Sequence, residues 1–187
     1  MSKNWEKIKL GEVAVESRDI YSPNENEHFK YIGLEHIEQQ TLQLNSVGVS
    51  SLTQSSKKIF KAGDILFGSL RPYFRKVTKP RFSGVCSTDI TVIRSQNNCD
   101  QTFLFYFIAN KSFIDYATNI SYGTKMPRAP WQILAESEWY FPIYEDQLKI
   151  SSILSVYDDL IENNTRRIKI LEEMARRIYR EWFVDFR

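Results

Sequence analysis

A chain of 187 residues with 42% hydrophobic and 26% charged side chains holds material for one sizeable core and an appendage, and its formal net charge of +2 is nearly balanced. No apolar run approaches membrane-spanning length, and Met1-Ser2-Lys3-Asn4-Trp5-Glu6 lacks the apolar stretch of a signal peptide, so a cytoplasmic protein with no membrane association is expected. Cys86 and Cys99 form neither a CxxC pair nor a zinc set with His28 and His36, and both thiols are expected to be reduced.

The opening Trp5-Glu6-Lys7-Ile8-Lys9-Leu10-Gly11-Glu12 reads as a short lead-in that ends in a turn. Tyr31-Ile32-Gly33-Leu34, Asp64-Ile65-Leu66-Phe67 and Ile90-Thr91-Val92-Ile93 are β-type runs bounded by turn residues, and Lys61-Ala62-Gly63-Asp64 and Phe82-Ser83-Gly84 are the turns that feed them. Cys86 falls in a strand, and His36, beside Glu35, reads as a strand-edge residue and not as a base. Over 102–118, Phe103, Leu104, Phe107, Ile108, Ile114 and Ala117 recur at helical spacing behind Asp100, a candidate N-cap; this predicts one helix packed on a sheet.

Charge is unevenly placed along this part of the chain. Residues 57–131 carry 12 basic and 4 acidic side chains, a surplus of 8, while the flanking segments are each acidic by 3. Arg71, Arg75, Lys76, Lys79 and Arg81 crowd together with Tyr73, Phe74 and Phe82 among or beside them, and no acid occurs over 65–88. Such a stretch reads as a nucleic-acid contact in preference to a merely solvated face. Gly123-Thr124-Lys125-Met126-Pro127-Arg128-Ala129-Pro130 cannot be regular structure and supplies two further cations, Lys125 and Arg128, suited to phosphate.

Residues 139–143 return as a strand, and a helix follows over about 145–182. One stripe of this helix runs Ile150, Leu154, Tyr157, Ile161, Asn164, Ile168, Leu171, Ala175, Ile178, Trp182, with steps alternating four and three. Sustained for more than four heptads, that pattern is a coiled-coil seam, because a 3.5-residue repeat keeps one stripe facing a partner helix. At about 1.5 Å per residue the helix is roughly 57 Å long, too long for a small domain to cover, so a homodimer through the seam is expected. Asn164 near its middle either fixes register against another Asn or points to solvent. Glu162 and Arg166, Glu172 and Arg176, and Glu173 and Arg177 are supporting pairs at i,i+4.

Motifs for catalysis are missing. The seven glycines are too scattered for a dinucleotide or phosphate loop, no Asn-Pro-Pro-Tyr or Asp-Pro-Pro-Tyr segment exists for base methylation, and no (Asp/Glu)-x-Lys triplet occurs. The residues therefore predict an α/β (α+β) domain over 1–142 with a small twisted sheet, followed over 143–187 by one long C-terminal coiled-coil helix, in a chain that binds and does not catalyse.

The segment Phe141-Pro142-Ile143-Tyr144-Glu145-Asp146-Gln147, the apolar run from Ile150 to Leu154, Ile161-Glu162-Asn163-Asn164, Leu171-Glu172-Glu173 and Trp182-Phe183-Val184-Asp185-Phe186 resemble the helical region of the specificity (S) subunits of type I restriction-modification systems. Trp5 with Leu10-Gly11-Glu12, Gly63-Asp64-Ile65-Leu66 and the loop 123–131 are similar to landmarks of that family's target recognition domain. In the family a full subunit carries two recognition domains and two such helices paired antiparallel, so this chain resembles a half-length form. The resemblance implies a non-catalytic subunit that recognises double-stranded DNA at a bipartite site and docks methyltransferase (M) subunits on its helix. The restriction (R) subunit would assemble alongside. It implies no cofactor on this chain, with S-adenosylmethionine, ATP and magnesium on the partners. Base-contacting positions do not transfer by motif. Arg71, Tyr73, Arg75, Lys76, Lys79, Lys125 and Arg128 are DNA-contact candidates on charge and loop chemistry alone. An independent homodimeric DNA-binding regulator, or the recognition half of a fused methyltransferase-nuclease, would combine the same parts.

Overall fold

In a computed structural model of the chain, residues 5–22, 28–50, 55–123 and 125–186 are described; Met1 to Asn4, Thr124 of the loop and Arg187 lie outside them. Strands β1 (Trp5–Lys9), β2 (Ala14–Glu16), β3 (Ile20–Tyr21), β4 (Lys30–Ile32), β5 (Gly48–Val49) and β6 (Lys57–Phe60) are followed by β7 (Ile65–Gly68), β8 (Val77–Thr78), β9 (Gly84–Cys86) and β10 (Ile90–Ser95). The helix α1 (Leu10–Val13) joins the first two strands. Helices α2 (Gln101–Ala109), α3 (Lys111–Asn119) and α4 (Trp131–Glu136) lead to β11 (Glu138–Pro142) and then to α5 (Tyr144–Phe183). The chain divides into two compact units, Met1–Leu148 and Lys149–Arg187.

Among the described residues, strand content in the first unit is spread over three small sheets, ordered β2-β10-β7-β8, β3-β6-β9-β4-β5 and β1-β11. The opening segment is thus a full strand and not only a lead-in: β1 pairs antiparallel with β11, Trp5 opposite Pro142 and Lys9 opposite Glu138. Every residue of β7 is buried, as a run without alternation requires when both faces are covered. Leu66 joins Ile32, Ile37, Phe60, Cys86, Ile90 and Val92 in one apolar cluster, and the Phe67 ring meets Phe113 of α3 edge-on at 5.7 Å. A second aromatic group, Phe103, Phe107, Phe113, Trp139 and Phe141, seats α2 and α3 against β11 with centroids 4.7–5.9 Å apart. Burial pushes the Cys86 and Cys99 thiols up to about 12, so both are inert, free thiols.

Two expectations need correction. The helix expected over 102–118 is two helices, because Asn110 takes an extended conformation and its side chain accepts from Ser112 N at 2.8 Å, starting α3 where α2 stops. An Asn that bonds its own backbone competes with helix continuation. Asp100 caps α2 through Phe103 N at 2.8 Å. His36 lies in a 3-10 turn (Leu34–His36) and not at a strand edge; its Nδ1 accepts from Gly33 N at 2.8 Å.

The Lys61-Ala62-Gly63-Asp64 turn has a physical reason for its composition. Gly63 has φ +86°, and Asp64, 5% exposed, accepts from Lys61 N at 2.7 Å and from Nε and Nη2 of Arg94 at 2.8 Å each. The carboxylate holds the guanidinium pKa above its ordinary value. Asp64→Ala would leave Arg94 half-buried with only the longer, more exposed pair to Asp19 at 3.5 Å and is expected to cost about 2 kcal/mol, read as a lower urea midpoint at unchanged slope. An unchanged midpoint would deny the pair a structural role.

Candidate nucleic-acid interface and helical seam

Two loops of the first unit are joined through their backbones. The 3-10 turn Pro72–Phe74 is flanked by Arg71 at φ 52° and Arg75 at φ 50°, left-handed positions that cost non-glycine residues of order 1 kcal/mol each. Neighbouring groups compensate this. Arg71 N donates to the Pro127 carbonyl at 2.8 Å, Arg71 Nη2 to the Lys125 carbonyl at 3.1 Å, and Phe74 N to the Arg71 carbonyl at 3.1 Å. In the second loop Tyr122 and Arg128 exchange backbone bonds at 3.2 and 3.0 Å, and Ala129 N donates to the Ser69 carbonyl at 3.0 Å. Gly123 turns the tip at φ +110°.

The seven candidates divide into two groups. Arg71, Tyr73, Lys125 and Arg128 are exposed on these joined loops. Arg75, Lys76 and Lys79 are half-buried and bond inward. Arg75 Nε donates to the Ala109 carbonyl at 2.8 Å, in the last turn of α2 where the helix dipole favours a cation. Lys76 Nζ donates to the Leu34 carbonyl, and Lys79 Nζ to Thr102 Oγ1 at 2.7 Å with its ammonium 5.5 Å from the Phe105 ring centroid. Part of the basic surplus is also consumed elsewhere, in Lys58–Glu16, Arg94–Asp64 and Lys111–Asp115 pairs. Sequence reasoning missed Tyr122 and Met126, 67% and 56% exposed on the same loop, and Asp89, which pairs with Arg128. The signal for Asp89 was present, since it is the lone acid between Asp64 and Asp100.

Among the described residues no group of three or more His, Cys, Asp or Glu side chains is placed to hold a metal ion, and no helix is long and apolar enough to cross a membrane.

In α5, a single helix of 40 residues, the predicted stripe is open to solvent: Tyr157 is 61% exposed, Ile161 50%, Leu171 63% and Trp182 67%, and Leu154, Ile168 and Ile178 are exposed with them. Asn164 and Ala175 are also exposed, whereas Ile150 is half-buried. Glu162 and Arg166 form one of the expected pairs at 3.4 Å. Beside the stripe lie Ile153, Val156, Leu160, Ile170 and Met174, also exposed. At 100° per residue the two rows together span about 200° of the helix, wider than a two-stranded seam uses.

A family model described as type I restriction modification DNA specificity domain matches residues 2–173. This chain belongs to that family. The specificity domain is 29% identical over 202 residues to the type I restriction enzyme MjaIX specificity subunit of Methanocaldococcus jannaschii, an alignment spanning 98% of this chain and 45% of the relative. It is 30% identical over 166 residues to the EcoDI specificity subunit of Escherichia coli, covering 85% of this chain and 36% of that one. The fold of the HsdS subunit from Thermoanaerobacter tengcongensis superposes with a TM-score of 0.70 at 20% identity, over 97% of this chain and 48% of that subunit. The specificity domain thus spans less than half the length of these relatives. Its mixed α/β unit and long C-terminal helix are the fold it shares with the solved subunit.

Proposed function

We propose that this chain is the DNA-recognition subunit of a type I restriction-modification enzyme, non-catalytic itself, acting as a homodimer that directs methyltransferase subunits, and through them the restriction subunit, to a bipartite site. The observation that carries the reading is the exposed patch of Arg71, Lys125 and Arg128 with Tyr73, Tyr122 and Met126 on two backbone-locked loops. Phosphate contacts from cations such as Arg71 and Lys125 set register on a duplex, and side chains at the groove read base edges. Arg75, Lys76 and Lys79 hold these loops to the core and contribute to binding indirectly. S-adenosylmethionine, ATP and magnesium belong to the partner subunits, and the assembly works in the cytoplasm.

Antiparallel pairing of α5 is supported by its charge. Residues 144–163 carry five acids and one base, and residues 165–183 carry six bases and three acids. An antiparallel partner lays the acidic half on the basic half, whereas a parallel one juxtaposes like halves. The second apolar row is the surface for methyltransferase helices.

Replacing Arg71 or Lys125 by Ala should weaken binding to all duplexes and lower the slope of log affinity against log salt by about 0.9 for each phosphate no longer neutralised. Lys79→Ala should instead lower stability with little change in that slope. Unchanged affinity and slope in Arg71→Ala, Lys125→Ala and Arg128→Ala would sink the surface assignment. An independent DNA-binding regulator would bind its site strongly without methyltransferase; a specificity subunit gains most of its selectivity only in the complex.

A further inference from the structure

A carboxylate on a surface that meets phosphates is repelled by them unless it serves a neighbouring cation. Asp89 serves Arg128: its Oδ1 accepts from Nε at 3.2 Å and from Nη2 at 2.5 Å. Both partners stand on fixed backbone. The Asp89 carbonyl accepts from Ser69 N at 3.0 Å and Ser69 Oγ at 2.9 Å, and Arg128 lies in antiparallel bridges to both Leu70 and Tyr122. The Arg128 side chain is nevertheless 53% exposed, against 27% for Asp89, so the guanidinium is held from one side and open on the other.

We propose that Arg128 is a base-reading residue that recognises guanine, and that Asp89 is its positioning residue. The inference rests on the DNA-recognition function proposed above. A guanidinium has five donors, and Asp89 occupies the Nε–Nη2 edge. The opposite Nη1–Nη2 fork is left for an acceptor pair, which matches O6 and N7 of guanine in the major groove. Pairing also nearly cancels the charge of Arg128. That makes it a poor phosphate anchor and a good reader, since the side chain is oriented before the duplex arrives. Arg71, whose guanidinium donates to a neutral carbonyl, keeps its charge for the backbone.

The test is selection by the full chain in its methyltransferase complex from a library of duplexes randomised across the site, repeated with Arg128→Ala, Arg128→Lys, Asp89→Asn and Asp89→Ala. The unaltered complex is expected to require a G·C pair at one position per half-site. Both Arg128 variants should lose that preference alone, by about 5- to 150-fold. The Asp89 variants should weaken it at the same position while raising affinity for unrelated duplexes, because the released cation becomes available to phosphates; a loop-stapling role alone would move neither quantity in this pattern. Thermal unfolding of Arg128→Lys and Asp89→Asn checks that the loops remain folded. Uniform weakening on all sequences in Arg128→Ala, with every position of the motif retained, would make Arg128 a phosphate contact and overturn the inference while leaving DNA recognition intact. If the unaltered complex selects no sequence at all, both readings fall.

Discussion

Changing Ile161 and Leu171 together to Asp should convert the proposed homodimer to monomers. A two-fold pair of α5 helices along the proposed seam would bury both positions, so the double change would place four carboxylates in an apolar seam at a cost of several kcal/mol. Both side chains are exposed in the single chain, which means the substitutions cost the monomer nothing in packing and the recognition unit should keep its stability. Sedimentation of an undiminished dimer would remove the seam from the interface. Orientation is checked separately with Leu171→Cys in a background where Cys86 and Cys99 are Ser. Antiparallel pairing about Asn164 sets position 171 opposite 157, so efficient disulfide formation between two copies of position 171 would contradict it.

The second large effect concerns the spacing of the DNA target. Two copies of one recognition unit related by a two-fold axis read the same half-site in opposite orientations, so the site should be a bipartite inverted repeat with a spacer of unspecified sequence. Inserting one heptad between Gln147 and Ile150 lengthens each arm by about 10 Å while nearly preserving the phase of the seam. The two arms together would move the recognition units about 20 Å apart, roughly six base pairs at 3.4 Å per step. The preferred spacer should lengthen accordingly, or activity should vanish, with both half-sites unchanged. Genome-wide mapping of methylated sites in cells carrying this chain as the sole specificity subunit reads the outcome; a strictly asymmetric site would defeat the homodimer.

What the sequence disclosed follows the range of the forces involved. The runs at Ile65-Leu66-Phe67 and Ile90-Thr91-Val92-Ile93 declare strands, and the four-three alternation from Ile150 declares the helix, because both signals are local periodicities. The break at Asn110 was hidden inside an otherwise continuous apolar pattern, where one side chain bonding its own backbone outweighs the period. Pairing of Trp5–Lys9 with Glu138–Pro142 joins segments more than a hundred residues apart, which no local pattern encodes. At the candidate interface the sequence supplied the cations but not their partners. Whether Arg75 or Arg71 faces outward depends on a carbonyl at Ala109 in one case and at Lys125 in the other. Asp89 was visible as a lone acid in a basic stretch, yet only the fold brings it to Arg128.

The β1–β11 ribbon sets Trp5 opposite Pro142, two residues before α5 begins, so the two strands that bracket the segment between them meet at one clasp a strand's width, about 4.8 Å, across. The described sheets and helices between Lys9 and Glu138 are thus bracketed by that clasp. An exchange of sequence with its boundaries in the two clasp strands would replace every residue of the candidate DNA-contact loops while leaving α5 unchanged. Under the proposed function, a new target sequence would then come with the exchanged segment as a whole, with only the ten backbone positions of the two strands needing to match.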